Sequence, residues 1–171
     1  MSKTEENLKA AFAGESQARN KYTYFAKEAR KEGYHYIADI FEETADNEMQ
    51  HAKDEFRLLN GIGTTVENLK AAISGEHHEV ISMYPDFAKE AKEEGNKEAV
   101  VLFTMIGKAE AQHRDRYQKL LDRIENGTVF KREEPIEWKC SKCGYVHTAK
   151  EPPKTCPACK HPLEYFVPAS I

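Results

Sequence analysis

Glu110-Ala-Gln-His113 lies within the run Phe103, Ile106, Glu110, His113, Tyr117, Leu120, Ile124. Every step in that run is three or four residues, so these side chains share one face of a helix. Such an apolar face is expected to be buried, where a carboxylate is costly unless it is paired, protonated or coordinated. The same pattern stands at Glu48-Met-Gln-His51, on the stripe Ile37, Phe41, Ala45, Glu48, Ala52, Phe56, Leu59, with His51 flanking it. Two more stripes carry acids: Leu8, Phe12, Glu15, Tyr22, Phe25, Ala29, and Leu69, Ile73, Glu76, Val80, Met83, Phe87, Ala91. Glu79 stands one turn beyond Glu76. Five carboxylates and two imidazoles aimed at an interior call for metal ions to neutralise them.

The four stripes come from an internal duplication. Glu6-Asn-Leu-Lys-Ala-Ala11 returns as Glu67-Asn-Leu-Lys-Ala-Ala72, and Glu15 returns as Glu76, 61 positions later. Phe25-Ala-Lys-Glu-Ala29 returns as Phe87-Ala-Lys-Glu-Ala91 after 62 positions, the offset that also relates Glu48 and His51 to Glu110 and His113. One residue has therefore entered the second copy before Phe87, with Pro85 marking the expected neighbourhood. Two helical hairpins of this kind predict a mainly α fold, a four-helix bundle with pseudo-twofold symmetry. Gly33 and Gly95 are placed to cap helices inside the hairpins. Thr64-Thr-Val-Glu67 reads as a capping box opening the third helix. Pro85 falls inside that helix and is expected to kink it or remove one hydrogen bond. The short link after Asn60-Gly-Ile-Gly63 is a place where domain swapping could arise.

The chain has 171 residues and a net charge of −4, enough for one core and a small appendage. Nothing in that charge suggests nucleic acid or an anionic membrane. Runs such as Lys89-Glu-Ala-Lys-Glu-Glu94 read as a solvated helix face. The polar start and the lack of a spanning apolar stretch predict a cytoplasmic protein with no membrane contact.

The predicted bundle covers residues 1–127 and a charged linker residues 128–134. A second domain over residues 135–171 is too small to build its own apolar core. It carries two cysteine pairs, Cys140-Ser-Lys-Cys143 and Cys156-Pro-Ala-Cys159. In a reducing compartment such pairs are metal ligands rather than disulfides, and their spacing predicts one tetrathiolate iron or zinc. Cys-Gly-Tyr after the first pair, and the Cys-Pro-x-Cys pattern of the other pair, resemble rubredoxin knuckles, with a zinc ribbon as the alternative.

Glu-x-x-His puts a carboxylate and an imidazole one turn apart. Two copies, with a lone Glu on each remaining helix, match the ligand set of di-iron carboxylate bundles. This oxygen-rich set suits iron or manganese better than zinc. Glu79 breaks the symmetry, because Ala18 holds the equivalent position. A metal able to choose between Glu79 and His51 could change ligand with redox state. Tyr22 and Tyr84 are candidates either to orient terminal carboxylates or simply to pack. His35, His77, His78, His147 and His161 show no partner pattern and read as surface residues.

The whole chain resembles the rubrerythrins. The resemblance rests on Glu15, Glu48-x-x-His51, Glu76-x-x-Glu79 and Glu110-x-x-His113, followed by Cys140, Cys143, Cys156 and Cys159 in the family's order. It implies a ferritin-like four-helix bundle with two irons, a C-terminal rubredoxin-like domain, and a peroxidase that reduces hydrogen peroxide to water in oxidative-stress defence. By that resemblance Glu48 and Glu110 bridge the irons. Glu15 is terminal on one iron, completed by His51 or Glu79, while Glu76 and His113 complete the other. The tyrosines of the family fall on Tyr22 and Tyr84. Electrons are expected through the tetracysteine iron, from rubredoxin or an NAD(P)H-linked reductase. A homodimer is implied, domain-swapped in some members. An iron-storage protein, a di-iron oxygenase and a zinc-ribbon interaction module are the competing readings.

Overall fold

The computed structural model describes residues 2–169. Five α-helices are followed by a small three-stranded sheet. The chain divides into two compact units, Met1–Thr64 and Thr65–Ile171.

The first unit is a helical hairpin of α1 (Lys3–Lys31) and α2 (His35–Leu58). Ser2 opens α1 by accepting the Glu5 N–H through its Oγ at 3.2 Å, which satisfies one of the orphan donors of a helix start. The turn is closed by Gly33, at φ +89°. The Gly33 N–H donates to the Arg30 carbonyl and the Tyr34 N–H to the Ala29 carbonyl, the paired bonds that cap a helix when its next residue is left-handed. Ala26, Ala29 and Ala38 are buried, with Phe41 packed on them. Small side chains at these contacts let the helices approach closely. Across the hairpin Arg30 donates to Asp39 at 3.0 Å and to Glu42 at 2.6 Å, an exposed pair of contacts that water and salt screen.

The second unit repeats the plan and adds the cysteine domain. It begins with α3 (Thr65–His78), which passes through a π-helical turn (Glu79–Met83) into α4 (Tyr84–Glu93). The returning helix is α5 (Lys97–Glu125), with Asn96 capping it through Oδ1. Gly95 and Asn96 repeat the cap seen at Gly33 and Tyr34. The residue that separates the two copies is accommodated by the π-turn, immediately before Pro85. There the Tyr84 N–H donates back to the Glu79 carbonyl, and Pro85, which has no N–H to offer, begins the α-helical geometry that follows. The helix absorbs the proline by changing its hydrogen-bond period.

After α5, Arg132 turns its guanidinium onto the carbonyls of Thr128, Val129 and Lys131 and over the Trp138 ring, 5.0 Å from its centroid. Burial is the main cause that lowers the Arg132 pKa, helped by Arg123. Strands β1 (Ile136–Cys140), β2 (Val146–Ala149) and β3 (Phe166–Pro168) form an antiparallel sheet in the order β2-β1-β3. Its core is four residues: Trp138, Cys140, Cys156 and Phe166. Two of those four are predicted metal ligands, so little apolar area is left to hold the domain together without an ion.

Candidate metal centres

The cysteine site is built by two similar turns. In the first, the Cys140 N–H donates to the Tyr145 carbonyl and the Gly144 N–H to the Cys140 carbonyl. In the second, Cys156 and Lys160 take the same parts, with His161 supplying the carbonyl. Gly144 and Lys160 both have positive φ, +79° and +63°, as a tight reversal at that position requires. Cys140 and Cys159 stand 3.7 Å apart at sulfur, and so do Cys143 and Cys156. A tetrahedral ion with metal–sulfur bonds of about 2.3 Å has sulfur–sulfur edges of about 3.8 Å. All four sulfurs lie within 4.8 Å of one another.

The electrostatics fit an ion as well. Burial pushes the Cys140 thiol up, but the backbone N–H groups of Cys143 and Lys142 outweigh it and bring it to about 7. For Cys143 the Tyr145 N–H acts downward, yet the neighbouring Cys159 sulfur and burial carry the thiol up to about 12. Cys156 is lowered as well, burial acting upward and the backbone N–H groups of Cys159 and Ala158 downward, so one thiol of each turn favours the thiolate that a metal requires.

His161 corrects the sequence reading. It is half-buried, with Nδ1 3.3 Å from Cys159 Sγ and its ring edge-on to Tyr165 at 4.9 Å. The signal available was its position two residues after a ligand cysteine.

Each hairpin gathers its own carboxylate–imidazole triad. In the first, α1 supplies Glu15 and α2 supplies Glu48 and His51. His51 Nδ1 lies 2.8 Å from Glu48 Oε2. In the second, α3 supplies Glu76 and α5 supplies Glu110 and His113. His113 Nδ1 lies 2.6 Å from Glu110 Oε2 and 4.0 Å from Glu76 Oε2. The stripes are half-buried rather than buried within their own hairpins, because two helices cover only one side of each. The Glu48 and Glu110 side chains are 16% and 15% exposed, whereas those of His51 and His113 are 58% and 48% exposed.

The paired acids hold each other's proton. A hydrogen bond to Glu48 is the main cause that raises the Glu15 pKa, followed by burial. Burial leads for Glu76, followed by the hydrogen bond to Glu110. A like charge this close disfavours ionisation, and a cation between the two acids would relieve it. This is the behaviour required of a metal-ligating pair.

Glu79 and Tyr84 stand just beyond the second triad. Glu79 is not among the three groups within 4.8 Å of one another, but its charge raises both Glu76 and Tyr84. Burial first, then Glu79, Glu110 and Glu76, push the Tyr84 phenol up. The charges of three expected ligands thus reach the Tyr84 phenol. Tyr22 packs with Phe25 and Phe41.

Glu55 was not anticipated. Its Oε2 is buried with no hydrogen-bond partner, and its charge raises Glu15. It lies four residues after His51, on the same face, but the repeat places Tyr117 there, so symmetry offered no hint of it.

A helical chain holding two carboxylate–imidazole triads and one tetrathiolate defines a class of non-haem iron proteins that join a ferritin-like part to a rubredoxin-like part. Comparison with known proteins narrows the class. The rubrerythrin family model matches residues 6–121, and that of the rubrerythrin rubredoxin-like domain matches residues 138–167. The chain is 52% identical to a rubrerythrin of Porphyromonas gingivalis, over 98% of this chain and 90% of that one. It is 46% identical to a rubrerythrin of Nitratidesulfovibrio vulgaris, over 96% and 93%. A solved structure of fully reduced, all-ferrous nigerythrin is similar at 36% identity, covering 98% of this chain and 87% of that one, with a TM-score of 0.38. The chain belongs to the rubrerythrin family. It is a redox iron protein of the oxidative-stress type, with iron in the helical part and one metal at the four cysteines. No described helix is long and apolar enough to cross a membrane.

Proposed function

We propose that this chain is a non-haem di-iron peroxidase that reduces hydrogen peroxide to water and receives its electrons through the tetracysteine iron. The observation that carries this reading is the presence, in one chain, of two carboxylate–imidazole triads and a four-sulfur site of tetrahedral dimensions. When bound, two ferrous ions supply the two electrons and the Lewis acidity needed to cleave one O–O bond.

The residues divide the remaining work. With iron bound, Glu48 and Glu110 would be the ligands shared between the ions, and Glu15 and Glu76 the terminal carboxylates. His51 and His113 each offer Nδ1, the nitrogen turned toward the neighbouring carboxylate. Glu79 and His51 would be alternative ligands, since a harder ferric ion favours a carboxylate over a neutral imidazole. Tyr84, whose phenol feels the charges of Glu79, Glu110 and Glu76, would hold carboxylates in orientation through its O–H, as second partners of metal ligands commonly do. Tyr22 does the same for the first triad. A single tetrathiolate passes one electron at a time, so two passages serve each peroxide.

We place the protein in the cytoplasm, where cysteines stay reduced and available to metal. We take it to work as a homodimer, domain-swapped or not, with rubredoxin or an NAD(P)H-linked reductase as its donor. Its domains on this reading are residues 1–127 and 135–171, joined by residues 128–134.

The test is anaerobic. The reduced protein receives one equivalent of hydrogen peroxide in a stopped-flow cell, and the colour of the ferric tetrathiolate is followed. Rapid return of colour, much faster than with oxygen, is expected. Faster return with oxygen would favour an oxygenase or ferroxidase, and a colourless site would place zinc at the cysteines.

A further inference from the structure

One aromatic cluster recurs in both hairpins. Tyr22, Phe25 and Phe41 form an aromatic trio with centroid separations of 6.3, 6.1 and 5.7 Å. Tyr84, Phe87 and Phe103, each 62 positions later, repeat it at 6.4, 6.2 and 5.6 Å. Yet Glu15 and Glu76 stand 61 apart. The second copy thus reaches the same packing with one more residue, taken up in the π-turn Glu79–Met83. A π-turn widens the helix, and the facing helix must leave room for it.

Gly107 of α5 leaves that room. Its counterpart at the same offset is Ala45, buried to 4% exposure. Where the first hairpin carries a methyl group, the second carries none. A Cβ built on Gly107 would lie 3.2 Å from Tyr84 Cβ and 3.8 Å from Tyr84 Cγ. The first of these is tighter than most packed carbons adopt, so Tyr84 would have to give way by a few tenths of an ångström. Tyr84 closes the π-turn, its N–H bonded to the Glu79 carbonyl. Gly107 is not there for its φ, nor for helix propensity, since Gly inside a long helix is less favourable than Ala.

We propose that Gly107 is a positioning residue: its missing side chain seats Tyr84, and through the Tyr84 N–H it fixes the wide turn that presents Glu79. The functional part of this inference rests on the peroxidase reading; the packing part does not. The contact explains why the extra residue, the acid with no counterpart and the absent methyl group occur together in the second hairpin.

The experiment compares Gly107→Ala with Ala45→Gly in the full-length, iron-loaded protein. Three quantities are read: Tm, amide hydrogen exchange of the segment 79–84, and the rate of reoxidation by peroxide. Gly107→Ala is expected to lower Tm against the helix trend and to speed exchange at 79–84. It is also expected to slow peroxide reoxidation about tenfold with iron retained, because displacements well below 1 Å at a reacting centre have effects of this order. Ala45→Gly is expected to lower Tm without changing exchange at 79–84. A raised Tm and unchanged exchange in Gly107→Ala would overturn the packing argument. Faster exchange with an unchanged peroxide rate would overturn the link to Glu79. An unaltered chain that does not react with peroxide would defeat the peroxidase reading, while Tm and exchange would still decide the seat of Tyr84.

Discussion

Replacing Trp138 tests whether the cysteine domain depends on one ring as well as on its metal. Trp138 is fully buried, its Nε1 donates to the Ala149 carbonyl at 2.9 Å, and Arg132 covers it at 5.0 Å. It is paired with His147 on β2 and Pro168 on β3, two residues before Cys140. Trp138→Phe keeps most of the apolar volume but loses the indole hydrogen bond, about 1 kcal/mol, and part of the cation contact, about 0.5 kcal/mol. Trp138→Ala also leaves a cavity, raising the loss to about 4 kcal/mol. If metal leaves through opening of this domain, each 1.4 kcal/mol is a factor of about ten. Transfer of metal to a chelator should then quicken about tenfold for Phe and about a thousandfold for Ala, read from loss of the tetrathiolate colour. Helical circular dichroism should hold throughout. Equal transfer rates in all three proteins would refute the reasoning, and so would loss of helix together with the colour.

Other consequences can be checked alongside. Glu79→Ala should retain iron yet lose most of its peroxide reactivity, and unchanged turnover would remove the ligand-exchange idea. Cys156→Ser should abolish the visible chromophore and donor-linked turnover; a parallel loss of helicity would instead make the cysteine domain a structural prop for the helices. The raised carboxyls of Glu15 and Glu76 give the metal-free protein a definite pH dependence. A carboxyl whose folded value lies above its unfolded one contributes stability below the unfolded value and loses it as pH rises through the folded one. Metal-free Tm should therefore fall as pH climbs out of the carboxylate range. Iron-loaded protein, in which a cation replaces the shared proton, should not follow it, and identical pH profiles would argue against these acids as ligands.

Much of the site could be read in the chain because helical period and duplication constrain each other. Glu110 on an apolar stripe is ambiguous alone. The same residue at a fixed offset from Glu48, with His113 repeating His51, is not. The helix caps at Gly33 and Gly95 were legible for a similar reason, since a left-handed residue ends a helix in a way few residue types allow. The π-turn was only half visible: the shift in offset revealed an extra residue, but Pro85 drew attention to its own position rather than to the turn before it. Glu55 and His161 escaped because neither has a symmetric partner. Periodicity finds residues that repeat, and these two depend on what lies across from them in space.

The unrepeated residues are also where the two halves of the helical part cease to be equivalent. Duplication produces two like triads, and a pair of identical metal environments has no reason to respond differently to oxidation. Glu79 where the first copy has Ala18, an added residue in the turn that follows, and Gly107 where the first copy has Ala45 all fall on the second hairpin. The centroid separations of the aromatic trio beyond them return to within 0.1 Å of their counterparts, while the Tyr84–Phe87 rings stand at 86° where Tyr22–Phe25 stand at 49°. These three departures lie together around the stretch that carries the extra carboxylate. A wide turn and a lost methyl group both oppose helix stability, and the role proposed for Gly107 accounts for both through the position they give to Glu79.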